Sequence, residues 1–249
     1  MISSMTTVPL SDPLAEGVRL IETAGEEQLE IFLLGGVAIR LRTPEPLLER
    51  SFNDIDIVAS RAAGREVTGL LERLGYAPDR EFNAVNGRTR MLFRDEFNAR
   101  DLDVLIGEFE MCHALPILER ARLFEPTVPL AELLLTKLQI VELNRKDVID
   151  VYNLLHAHDV RDALGIDAER VGQLCGRDWG LWRTVTGNLD RITDPALLPD
   201  VSDAQRMRVA HRVAALKDAI TTAKKSRKWQ LRSRIGDRVR WYEEPEEAH

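Results

Sequence analysis

The sequence predicts a mixed α/β protein, of the α+β kind, in which a small mixed β-sheet core with flanking helices is followed by a helical C-terminal part. Three observations predict it. The stretches DIDIVA (54–59) and RDLDVLI (100–106) alternate polar and apolar residues with the period of a strand. Residues 14–24 and 61–74 place apolar side chains at helical spacing between and before those strands. From Pro129 onward the periodicity is helical throughout.

The elements follow in order. A first helix over 14–24 has Ser11 or Asp12 as N-cap and Pro13 in its first turn. The apolar run 30–34 reads as a buried strand that ends in Gly35-Gly36, and a helix follows from Val37 until Arg42-Thr43-Pro44-Glu45-Pro46 breaks it. After strand 54–59, the helix over 61–74 carries Val67, Leu70, Leu71 and Leu74 on one face, with Gly75 as its stop. Asn86-Gly87 is the favoured two-residue turn of a hairpin, so 81–85 and 88–93 are expected as its strands. Strand 100–106 completes the sheet. Leu130, Leu133, Leu134, Leu138 and Val141 form the stripe of a first C-terminal helix, 147–157 forms a second, and helical patterns recur at 167–175 and 203–223. The change of character near 123–129 divides the chain into a core, 1–125, and a helical domain, 126–249.

Composition sets the outer bounds. The chain has 249 residues, 44% hydrophobic and 30% charged, enough to bury a substantial core. Its two cysteines, Cys112 and Cys175, are far apart and in no metal-ligand spacing, so neither a disulfide framework nor a cysteine zinc site is expected. No basic-then-apolar leader and no membrane-length apolar run is present, and a soluble cytoplasmic protein with no membrane contact is expected. The net charge of −7 hides a basic segment. Residues 224–240 hold eight lysines and arginines against one acid, Asp237, a net +7.

The chemistry is concentrated in the first half. Asp54 and Asp56 lie two apart on a strand and therefore share a face, with Ile55 and Ile57 turned to the core. Two adjacent carboxylates repel unless a cation neutralises them, and hard oxygen donors suit Mg²⁺ or Mn²⁺. The spacing alone also fits two solvated acids on an edge strand. Gly35-Gly36, between a strand and a helix, lets the backbone approach a ligand and turns helix N–H groups toward an anion. Asp103 sits between Leu102 and Val104 and so faces away from them. Asp101 shares its face, and the flanking Arg100 marks Asp101 as the more solvated or ion-paired of the two.

This order of motifs, a Gly-Gly turn, an acid-x-acid strand and one acid on a later strand, resembles the DNA polymerase β-like nucleotidyltransferases over residues 30–106. The resemblance implies that Asp54, Asp56 and Asp103 bind the metal, that Asp103 also helps deprotonate an acceptor hydroxyl, and that an NTP is the co-substrate. Seventeen residues separate Gly36 from Asp54, more than in compact members, and Gly36 stands where a serine is common. Arg50, four residues before Asp54, is the expected phosphate contact of that insertion. The run PLAELLLTKLQIVELNRKDVIDVYNLL (129–155) resembles the second motif region of the AbiEii/MenT-type toxin nucleotidyltransferases. Lys137 lies on the apolar face of its helix, four after Leu133 and four before Val141, where it either snorkels or meets an anion. The resemblance implies a lysine that reaches NTP phosphates, accompanied by Asp147 and Asp150, and an antitoxin protein as a partner. Asp147 equally fits a helix N-terminal acid favoured by the macrodipole.

The acceptor stays open between RNA, such as a tRNA 3′ end, and a small hydroxylated molecule of the aminoglycoside type. The basic segment with Trp229 and Trp241 favours RNA through phosphate contacts and base stacking. A catalytically inactive nucleotide- or RNA-binding module of the same fold is a further reading. A haloacid-dehalogenase-like phosphatase is disfavoured, because Arg50-Ser51-Phe52-Asn53 before the first aspartate are polar rather than a continuous apolar strand.

Overall fold

The computed structural model describes residues 8–123, 126–161 and 164–244. It is a mixed α/β chain that divides into two compact units. The first consists of the described parts of Met1–Leu41, Ser51–Phe109 and Pro116–Pro129. The second consists of Arg42–Arg50, Glu110–Leu115 and the described part of Leu130–His249. Two short segments that precede residue 125 in sequence therefore fold with the helical half.

The first unit is built on a five-stranded sheet: β1 (Ile31–Leu34), β2 (Asp54–Ala59), β3 (Ala77–Pro78), β4 (Arg90–Asp95) and β5 (Arg100–Ile106). Its order is β1-β2-β5-β4-β3. Only the central β2–β5 pair is parallel; the other pairs are antiparallel. The alternation read in the sequence is the alternation of burial. Ile55, Ile57, Leu102 and Val104 are almost fully buried, whereas Asp54 and Asp101 are exposed and Asp56 and Asp103 half-buried. The free edge of β1 is covered by Pro126–Val128: the amide of Leu33 donates to the Pro126 carbonyl at 2.9 Å, and the Val128 amide donates to the Leu33 carbonyl at 3.3 Å.

Helices α1 (Pro13–Glu26), α2 (Gly35–Arg42), α3 (Gly64–Arg73) and α4 (Arg80–Asn86) complete this unit. Asp12 caps α1 by accepting from the Ala15 amide. The helix α2 starts at Gly35, two residues earlier than its apolar pattern indicates, and ends where Pro44 forbids continuation.

The expected hairpin at Asn86-Gly87 is not formed. Residues 80–86 are helical, with Asp79 as N-cap accepting from the Phe82 amide at 2.9 Å. Gly87 caps the helix C-terminus at φ −61°, so the positive φ of a two-residue hairpin turn is not used. The turn that does reverse the chain joins β4 to β5, with Ala99 at φ +53°. An N-capping aspartate outweighed the turn propensity of Asn-Gly.

The second unit is helical: α5 (Leu130–Leu138), α6 (Arg145–Ala157), α7 (Ala168–Arg177), α8 (Trp179–Ile192), α9 (Asp203–Thr222) and the short α10 (Arg227–Ser233). Helix α8 was absent from the pattern reading. Its two glycines, Gly180 and Gly187, and its β-branched residues lower its intrinsic propensity. The helix is held instead by the Asp178 cap and by burial of Trp179, Leu181, Val185, Leu189 and Ile192. No helix among the described residues is long and apolar enough to cross a membrane.

Candidate nucleotide-transfer site

The first cluster lies in the sheet unit where β1 ends and β2 and β5 begin. Antiparallel pairing sets Leu34, the last residue of β1, opposite Asp56, so the Gly35-Gly36 turn falls beside that carboxylate. Parallel pairing sets Asp54 opposite Asp101 and Asp56 opposite Asp103. Neighbouring strands run about 4.8 Å apart, so the acids of both strands share one face of the sheet.

Gly35 is fixed by two constraints. Its φ is +59°, the left-handed region that side chains disfavour. A β-carbon there would also lie 1.8 Å from Asp56 Oδ2. The Asp56 carboxylate thus lies against the backbone at the turn. Gly36, in the first turn of α2, is buried.

Asp103 is paired with Arg90. The Arg90 Nε and Nη2 donate to its two oxygens at 2.6–3.0 Å, and the guanidinium lies 5.8 Å from the Phe82 ring centroid. Sequence reasoning missed Arg90, because the hairpin that sets β4 against β5 was misplaced. In the observed register Leu92 faces Asp103, so Arg90 reaches it diagonally and Arg94 pairs directly with Asp101. Arg100, expected beside Asp101, faces the other way and forms a buried pair with Asp95 at 2.8 Å.

Asp54, Asp56 and Asp103 offer the hard oxygen donors that Mg²⁺ or Mn²⁺ prefers. Among the described residues no three His, Cys, Asp or Glu side chains converge closely enough to hold a metal ion unaided. This donor set fits a Mg²⁺ that takes one or two carboxylates from protein and the rest of its ligands from substrate phosphate and water, the ion's usual habit.

The second cluster lies in the helical unit and gathers the other four candidates. Arg50 donates from Nε and Nη2 to Asp150 at 2.7 and 2.9 Å, a forked pair. Lys137, on α5, bridges Asp147 Oδ1 at 3.0 Å and Asp150 Oδ2 at 3.2 Å on α6. The Asp150 side chain is 2% exposed and that of Lys137 15%. Asp147 also forms a capping box with Asn144 at the start of α6. The lysine on the apolar face therefore meets anions, and those anions belong to the protein. Nearby, the Asn153 side chain holds the Leu48 backbone through 2.9 and 2.8 Å hydrogen bonds, which seats segment 42–50 on α6.

The basic segment is only partly free. Arg232 donates to the carbonyls of Gly236 and Val239 at 2.7 and 2.6 Å. Trp229 and Trp241 belong to an aromatic cluster with Trp179 and Trp182. Lys224, Arg227, Lys228, Arg234 and Arg238 are exposed.

No family model and no curated protein matches this chain. Among solved structures, it is similar to a STING-associated CdnE c-di-GMP synthase from Capnocytophaga granulosa. That match has 12% identity over 84% of this chain and 82% of that chain, with a TM-score of 0.26. A likeness at that level carries no weight for activity, which rests on the residues themselves.

Proposed function

We propose that this protein is a divalent-metal-dependent nucleotidyltransferase that moves a nucleoside monophosphate from an NTP to an acceptor hydroxyl, with RNA as the acceptor. The observation that carries this reading is the parallel register of Asp56 with Asp103, together with the Gly35 turn against Asp56. Few other chemistries use three carboxylates on adjacent strand ends beside a side-chain-free turn.

In this reading the acceptor oxygen attacks the α-phosphorus, the bond to the β-phosphate oxygen breaks, and pyrophosphate leaves. Asp54 and Asp56 would hold a divalent cation, which would supply charge neutralisation for the phosphates. Asp103 takes the proton of the acceptor hydroxyl once Arg90 yields it. The Gly35-Gly36 backbone lets a phosphate approach. Within the helical unit, Lys137 is the more exposed of the two clustered cations, and Arg50 holds Asp150. The exposed cations of 224–240 meet RNA phosphates electrostatically.

The test is to incubate the protein with each labelled NTP, Mg²⁺ and total tRNA, and to follow the label. Mg²⁺-dependent transfer to RNA that is lost in Asp56→Ala supports the reading. Label transferred to a small hydroxylated molecule would replace RNA as the acceptor. No transfer to any acceptor, with metal-independent NTP binding, would leave a binding module.

A further inference from the structure

The helical unit contains a cavity of about 670 Å³, bounded by residues 110–114, 177–180 and 228–243. That volume lies within the range of small-ligand sites. We propose that it binds one nucleotide unit, a planar base carrying a phosphate. The inference goes beyond the transfer site and does not require transfer to occur.

The lining supplies what such a ligand needs. Trp179, Trp229, Trp241 and Tyr242 all border the cavity. The ring centroids of Trp179 and Trp241 lie 6.3 Å apart, and Trp182 stands behind, 6.0 Å from Trp179 and 5.3 Å from Trp229. Trp179 is buried in this cluster, and the partly exposed Trp229, Trp241 and Tyr242 offer the aromatic surface against which a base can pack. The rings are already held by cations: the Arg232 guanidinium lies 4.6 Å from the Trp179 centroid and Arg183 lies 5.4 Å from that of Trp241. Arg232 also ties the carbonyls of Gly236 and Val239, so this wall is formed before any ligand arrives.

Two features point to a polar, anionic occupant. The Trp229 indole Nε1 is buried and has no acceptor among the described residues, a costly state beside the cavity. Arg177 and Lys228 border the cavity with exposed side chains suited to a phosphate. Glu110, Asp178 and Glu243 border it too, which opposes a long phosphate track and suits one phosphate, with the carboxylates accepting from base amino or ribose hydroxyl groups. The ligand could be a free mononucleotide or the terminal nucleotide of an RNA strand, and the test separates these.

All four tryptophans of the chain belong to this cluster, so tryptophan fluorescence, excited selectively over tyrosine, reports on it. The full chain is titrated with adenosine or cytidine monophosphate, and separately with a short single-stranded RNA, in the presence of a chelator. The chelator silences metal-dependent binding, so failure here and failure of the transfer reading are read separately. Saturable quenching is expected, weakened about tenfold or more in Arg177→Glu/Lys228→Glu, which keeps every tryptophan. If that double variant does not fold, Lys228→Ala alone gives a smaller weakening in the same direction. Tighter quenching by the mononucleotide assigns a free nucleotide, and tighter quenching by the RNA assigns a strand end. Absence of saturable quenching with both ligands, or quenching unchanged in the variants, overturns the proposal.

Discussion

The Asp56 carboxylate occupies the space in which a β-carbon on Gly35 would lie, 1.8 Å from Oδ2. The metal-binding candidate and the turn are therefore one device. Gly35→Ala should cost about 1–2 kcal/mol from its left-handed backbone alone, plus whatever displacing Asp56 adds. Urea unfolding measures the stability loss. Transfer activity should fall far more than the folded fraction does, and activity that merely tracked folding would separate the turn from the site.

Arg90 and Asp103 are each about a quarter exposed, with side-chain accessibilities of 29% and 22%, so their pair should stabilise the fold by less than about 1 kcal/mol. Arg90→Ala is accordingly expected to fold normally. If Asp103 serves the cation, releasing it should lower the Mg²⁺ concentration needed for half-maximal transfer. Arg94→Ala, which frees the exposed Asp101, should leave that concentration unchanged.

Asp150 is buried between Arg50 and Lys137, so removing it takes one carboxylate from both cations. Asp150→Ala should destabilise by about 3–5 kcal/mol, the usual consequence of breaking a buried pair from one side. Lys137→Met should cost less, because Arg50 still holds Asp150 and Asn144 still caps with Asp147. Denaturant midpoints rank the two variants, and the reverse order would place the weight of the network on the lysine.

Burial lowers the pKa of His113, His156 and His158, with neighbouring arginines adding to the effect at His156 and His158. The His158 Nε2 lies 2.8 Å from the Arg42 carbonyl, which can only accept, so the neutral ring carries its proton there. A lowered folded pKa means that the unfolded chain binds more protons. The stabilisation is then present above the unfolded value of about 6.5 and is lost as pH falls below it. The urea midpoint should drop between about pH 7.5 and 5.5, and His113→Gln/His158→Gln should flatten that slope.

Much of this was legible in the sequence, for physical reasons. Strands β2 and β5 were located at their observed ends because one face of each is buried, and burial writes period two into the residues. The Asp12 cap was legible because capping is local. The hairpin between β4 and β5 was not, since its turn is carried by Ala99 rather than by a strong turn dipeptide, and Arg90 was lost with it. Helix α8 was hidden because its stability comes from tertiary burial rather than propensity. Arg50, Lys137, Asp147 and Asp150 were recognised as candidates one by one. Their convergence on each other depends on α5, α6 and segment 42–50 folding together, which no local pattern records.

The parallel pairing of β2 with β5 also makes the length of the turn before β5 matter to the sheet. Slipping β5 by one residue would set Leu102 or Val104 opposite Asp56 and turn both β5 aspartates toward the core. A single-residue insertion or deletion in the turn before β5 that shifts this register therefore disrupts the sheet more than its surface position suggests. A two-residue slip in one direction is gentler, because it brings Asp101 opposite Asp56 in place of Asp103. Of the length changes that shift the register, even ones keep an acid opposite Asp56 or preserve the burial face of β5.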